Sequence, residues 1–141
     1  MNGSLDRIFV RNKSKAYWLY AMIVLYLGAG INHFINPHTY LPVMPRWLPY
    51  HGELIYISGF FEIFFGLLLI PLATRSLSSF GIMLLLIAVF PANIQMSVNY
   101  FYEHNPYLWL TIVRLPLQFV LIRWAYRYYK RPALVRPALT L

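Results

Sequence analysis

The sequence has no cysteine and only four acidic residues, and 11% of its 141 residues are charged. Without cysteine there is no disulfide framework, no thiolate nucleophile and no Cys-ligated metal. The single aspartate, Asp6, sits near the N-terminus, so a Ser-His-Asp triad lacks its acid. Scarce charge also excludes a water-soluble fold: such domains carry roughly 25% charged and 45–50% apolar residues, whereas this chain is 60% hydrophobic. One soluble core of this length could not hide so much apolar surface, and the chain reads as a single-domain integral membrane protein. Gly-rich phosphate loops, internal repeats and low-complexity linkers are missing as well.

What is there is long apolar runs. A helix crosses the hydrocarbon with about 20 mostly apolar residues, and residues 17–34, 54–73, 77–99 and 107–129 qualify. They predict an all-α, four-helix transmembrane bundle over 17–129, flanked by basic tails at 1–16 and 130–141. The first run is too long for a signal-peptide core and has no A-x-A cleavage site, so it is expected to be retained. Ten of the twelve cations lie before the first run, between the second and third, or around the end of the fourth: Arg7, Arg11, Lys13, Lys15, Arg75, Arg123, Arg127, Lys130, Arg131 and Arg136. The opposite loops hold Arg46, Glu53 and Glu103. By the positive-inside rule both termini are expected in the cytoplasm. The basic surplus then serves anionic lipid headgroups, which removes the reason to invoke nucleic acid.

The second and third runs are separated only by Thr74 to Ser76, which predicts a tight antiparallel hairpin there. On the other side, residues 36–52 hold Pro37, Pro42, Pro45 and Pro49 with Tyr40, Trp47 and Tyr50 between them, and no single helix accommodates that. The segment reads as a lid across the outer mouth of the bundle or as an aromatic-belt anchor.

Polar side chains inside spans are costly and usually have a partner or a task. Glu62 lies about 12 Å below the outer end of its span and Arg114 about 10 Å below the same face, which predicts an ion pair between them. Asn93 comes to about 9 Å, Gln118 lies one turn beyond Arg114, and Ser58 lies one turn from Glu62. Asn32 and His33 close the outer end of the first span. All four spans therefore contribute to one outer-half cluster. Gly59 and Gly66 flank Glu62 at i−3 and i+4, a groove that admits a ligand or a neighbouring helix. Pro91 and Pro116 each free a backbone carbonyl beside it. Two readings remain open: a binding or reactive site, and a satisfied network that fixes helix register. The histidines, His33, His38, His51 and His104, have no helical metal-site spacing, so no metal is expected.

The string Gly30-Ile31-Asn32-His33-Phe34, Asn36-Pro37, Met44-Pro45, Leu48-Pro49, Tyr56-x-Ser58-Gly59-x-x-Glu62-x-x-x-Gly66-Leu67, Thr74-Arg75, Ala88-Val89-Phe90-Pro91-Ala92-Asn93-Ile94-x-Met96, Arg114-Leu115-Pro116-Leu117-Gln118 and Trp124-Ala125-Tyr126 resembles the DoxX-like family of small bacterial membrane proteins. That resemblance covers residues 17–129. It implies a four-helix bundle in the bacterial inner membrane and, for some relatives, membership of quinone-linked oxidoreductase complexes. Its motifs include His33, Glu62, Asn93, Arg114 and Gln118.

Together these features lead to a membrane subunit binding a small lipophilic ligand, with a quinone headgroup as the leading candidate. Glu62 and His33 are the candidate proton-transfer groups, and Asn32, Ser58, Gly59, Asn93, Arg114 and Gln118 the candidate ligand contacts. No haem, flavin or iron–sulfur motif is present in the chain, so redox work requires a partner protein carrying the cofactor. The alternative is a non-catalytic assembly or structural partner of another membrane protein. Small-solute transport is weaker, since four spans without a repeat give no alternating-access machinery unless copies associate as a homo-oligomer.

Overall fold

The structure is a computed structural model in which residues 13–132 are described. Arg7, Arg11 and Arg136, with most of both basic tails, lie outside the described residues. Four helices follow in order: α1 (Lys13–Ile35), α2 (His51–Leu68), α3 (Leu72–Tyr102) and α4 (Leu108–Lys130), and no strand occurs among the described residues. Each is long and apolar enough to cross a membrane. Exposed on their outer faces are Val24, Phe60, Leu77, Leu84, Ile87, Phe119 and Val120, a surface that water does not tolerate and lipid does. The fold is an all-α four-helix bundle and the chain a multi-pass membrane protein.

Prolines set the helix ends, because a prolyl ring offers no N–H and pushes the residue before it out of the helical region. α1 stops one residue before Asn36-Pro37. The lid then takes two single turns of tighter helix, Pro37–Thr39 and Leu41–Val43, each with proline in its first turn. His51 Nε2 meets the Pro45 carbonyl at 2.9 Å and ties the lid to the start of α2. The α2–α3 connection falls at Leu69 to Pro71, not at the expected Thr74 to Ser76. Pro71 ends one helix and starts the next with an extended backbone, so Thr74, Arg75 and Ser76 belong to the opening turns of α3. At 31 residues, α3 is about 46 Å long, more than the ~30 Å hydrocarbon core requires.

Packing divides the bundle along its length. α1 packs chiefly on α2 and α3 on α4, and α2 meets α3 along a narrower seam where Gly81 admits the Phe65 ring. In the half nearest the α2–α3 hairpin, Leu19, Met22, Ile23 and Tyr26 of α1 close against Leu69, Ile82, Leu86, Ala125 and Tyr128. Trp18 and Trp124 meet edge to face at 5.8 Å, joining α1 to α4. The half under the lid holds His33 and Glu62, while Arg75, Ser78 and Ser79 are buried at the hairpin end.

Arg75 holds the hairpin end together and is almost fully buried, at 1% exposure. Its Nε donates to the Leu69 carbonyl at 2.8 Å, Nη2 to the Ile70 carbonyl at 2.9 Å and Nη1 to the Pro132 carbonyl at 2.8 Å. These are carbonyls at the end of α2 and just beyond α4, where helices leave acceptors without donors and the macrodipole favours a cation. Thr74 donates to the Leu68 carbonyl at 2.8 Å, Ser76 to the Tyr129 carbonyl at 3.1 Å and Ser78 to the Phe65 carbonyl, extending the same seam. One of the ten cations assigned to lipid headgroups is thus a structural cap. Arg75→Leu should lower the thermal unfolding midpoint in detergent by an amount equivalent to about 3 kcal/mol, since charge-assisted bonds to buried carbonyls are lost. Arg75→Lys should recover only part of it, because an ammonium cannot span three carbonyls as the planar fork does. Unchanged melting of either variant would remove Arg75 from this role.

Candidate functional site

The site starts from a crossing of α1 and α2 close enough that only glycine fits. A Cβ at Gly30 would stand 2.7 Å from the Gly59 carbonyl oxygen and 2.9 Å from the Ile63 nitrogen; one at Gly59 would stand 2.6 Å from His33 Cβ and 2.9 Å from the Gly30 carbonyl oxygen. Gly66 is covered in the same way by Tyr26 and Leu27. The glycine groove beside Glu62 is therefore occupied by α1. Gly59 is a helix contact and not a ligand contact, and of the two occupants the sequence admitted, the helix has the place.

That crossing brings His33 and Glu62, each three residues past its glycine, to 3.5 Å between Nε2 and Oε2. It is the one ion pair among the described residues. The expected Glu62–Arg114 pair does not form: Arg114 is exposed on α4, where its Nη1 reaches the Met96 sulfur at 3.8 Å. Helix rise fixed the common depth of the two charges, but depth says nothing about which way each helix turns its face. Arg114 is still near enough for its charge to act on both His33 and Glu62.

His33 Nδ1 lies 3.1 Å from the Ile55 carbonyl, and because a carbonyl only accepts, Nδ1 carries hydrogen. Nε2 is then the nitrogen turned to Glu62. A neutral imidazole in that tautomer and an ionised carboxylate would confront each other as two acceptors, so the pair is held by one proton, on the imidazolium or on the carboxyl. Glu62 Oε2 is buried and accepts no hydrogen bond, and the Tyr26 hydroxyl is likewise buried without a partner. From the lid, Tyr40 stacks on the His33 ring at 3.9 Å and 17°, and its hydroxyl accepts from Asn32 Nδ2 at 2.7 Å. Asn36 Nδ2 donates to Asn32 Oδ1 at 2.9 Å and completes the link between α1 and lid.

The remaining polar residues form a second group on α3 and α4. Asn93 Nδ2 donates to Gln118 Oε1 at 2.9 Å, and Gln118 Nε2 donates to the Leu86 carbonyl, one residue before the Ile87 carbonyl that Pro91 leaves without its helical donor. Gln118 is buried and fully used as a bridge between helices. Ser58 is half-buried on α2 and makes no side-chain hydrogen bond. Of the eight residues singled out from the sequence, the structure brings His33, Glu62 and Asn32 together, joins Asn93 to Gln118, and leaves Arg114 between the groups with Ser58 and Gly59 outside them. Tyr40, Tyr26 and Met96 were not foreseen in it. Tyr40 carried a signal as a lid aromatic, whereas Tyr26, two turns before His33, looked like ordinary apolar lining. No three potential metal ligands come together among the described residues.

Residues 22–129 match the family described as domain of unknown function DUF8561. The chain belongs to the DUF8561 family. No curated protein and no solved structure matches it. The DUF8561 match takes in α2 and α3 whole, α1 from Met22, α4 as far as Tyr129, and every residue of both polar groups.

Coupling between the two charged partners is directly measurable in this DUF8561 chain. His33→Ala and Glu62→Gln should each destabilise the detergent-solubilised protein, and the double variant should cost less than the sum by about 0.5–3 kcal/mol, the range for groups in contact. Strict additivity would mean that no proton joins them.

Proposed function

We propose that the lid half of the bundle binds a small lipophilic ligand with a hydrogen-bonding headgroup, a quinone in the leading version, and that the chain serves as a membrane subunit of a redox complex. The observation that carries this reading is the juxtaposition of a one-proton His33–Glu62 pair, whose Glu62 Oε2 accepts no hydrogen bond, with the guanidinium of Arg114, which has no carboxylate partner. A quinone needs donors for its carbonyl oxygens and a group that gives or takes a proton on reduction. Arg114 is suited to the first task and the His33–Glu62 pair to the second. The likeness of the motif string to the DoxX-like family supports the same choice. Electrons would come from a cofactor on a partner protein.

A second reading is favoured by one observation, the lid pinned over His33 by the Tyr40 stack and the Asn32 bond. In that version the cluster fixes helix register, and the lid, with Trp47 and Tyr50 exposed, docks another membrane protein during assembly. A short-chain quinone should raise the unfolding temperature of the purified protein if the ligand reading is right, and His33→Ala should abolish the shift without unfolding the bundle. No shift in the unmodified protein, with a second membrane protein copurifying, would instead place the docking reading first.

The orientation proposed is both termini in the cytoplasm of a bacterial inner membrane, on the cation asymmetry. Since the chain lacks cysteine, single-cysteine variants report cleanly. Trp47→Cys and Tyr50→Cys should react with an impermeant maleimide on intact cells, and Lys130→Cys only after permeabilisation. The reverse pattern would invert the topology and put the polar cluster in the cytoplasmic half.

A further inference from the structure

Among the described residues no carboxylate of the lid half comes within ion-pair distance of Arg114. His33 Nδ1 is committed as a donor to the Ile55 carbonyl, so the His33–Glu62 pair holds one proton and is neutral as a unit, whichever partner carries it. The pair therefore offers the guanidinium of Arg114 no net negative charge, and Glu53 and Glu103, the other carboxylates at this end, form no ion pair with it. Its Nη1 meets the sulfur of Met96 at 3.8 Å, a weak acceptor without charge. Asn93 and Gln118 offer no relief, since their amides are turned to each other and to the Leu86 carbonyl. A cation about 9 Å from the start of α4, in surroundings of low dielectric, draws an opposite charge far more strongly than it would in water.

The geometry also says from where that charge comes. Arg114 is exposed with Met96 of α3 beside it, and Leu110 and Leu117, one turn to either side of it on α4, are exposed and apolar. A molecule approaching from the bilayer would meet an alkyl-lined surface with one guanidinium in it. We infer that Arg114 binds the headgroup of an amphiphile carrying a single negative charge, a carboxylate or a phosphate diester, whose tail lies along α3 and α4. The planar fork of the guanidinium matches either group with two parallel N–H bonds. Met96, unbranched and polarizable, leaves a boundary that a headgroup displaces cheaply. This goes beyond the uncharged quinone of the leading version to an anionic headgroup, and it rests on the broader reading that the lid half binds a lipophilic ligand.

The test titrates detergent-purified protein with oleate and with phosphatidylglycerol, using phosphatidylcholine as the net-neutral control, and reads bound ligand by native mass spectrometry and the unfolding temperature in parallel. Either anionic amphiphile should bind and stabilise where phosphatidylcholine does not. Oleate alone would assign a free acid, and phosphatidylglycerol alone a membrane lipid; both outcomes support the inference. Arg114→Gln should weaken the anionic ligand by roughly tenfold or more, Arg114→Lys should retain part of it, and Arg127→Gln, removing a cation at the hairpin end, should leave it. Equal binding of anionic and neutral lipid, or undiminished binding by a folded Arg114→Gln, overturns the inference. The underlying ligand reading fails separately: it falls if the short-chain quinone and the anionic amphiphiles all leave the unfolding temperature unmoved, and it stands alone if the quinone shifts it while they do not.

Discussion

Where α1 and α2 cross, Gly30 and Gly59 let the two backbones touch, so that a methyl group at either position would strike main-chain atoms of the other helix. Close approach of this kind is what holds helices together in a medium as apolar as their own side chains. It also sets the site. His33 and Glu62 lie three residues beyond their respective glycines, and the Ile55 carbonyl four residues before Gly59, so all three meet at a place fixed by the crossing. The stack of Tyr40 on His33 follows, and with it the position of the lid. Separating the helices by the width of one side chain would undo each of these contacts in turn.

The two ends of the bundle treat charge in opposite ways. At the hairpin end the guanidinium of Arg75 is buried among carbonyls left over by helix termini, and its charge stabilises the fold there. At the lid end the guanidinium of Arg114 meets a sulfur atom, and a buried carboxylate oxygen of Glu62 has His33 Nε2 before it at 3.5 Å. Polar groups that a fold uses for itself are normally satisfied. That contrast between a guanidinium bonded to three carbonyls and one that meets only a sulfur is the physical ground for looking for function at the lid end.

The number and type of the helices were legible in the sequence because the cost of burying backbone polar groups in lipid leaves a long apolar run few alternatives. Their ends were less legible. The run from Leu54 to Ala73 looked continuous, and Pro71 cut it at a position that hydropathy does not register. The depth of the polar side chains could be counted along each helix, which correctly placed His33 and Glu62 at the lid end. Azimuth could not be counted: it depends on which helices pair. The pairing of α1 with α2 turned Glu62 to His33 and left Arg114 on the surface of α4. Gly59 was noticed but assigned to a ligand, because a bare groove in a sequence does not reveal what fills it.

The bond from Arg75 to Pro132 spans 57 residues of chain, and that separation orders the making of the protein. When α2 and α3 first emerge, the guanidinium can reach Leu69 and Ile70 in the turn beside it, and the third acceptor does not yet exist. It appears only after all of α4 has been synthesised. Closure of the hairpin end thus waits for the whole of α4, and a protein truncated within α4 would lack the Pro132 acceptor of Arg75.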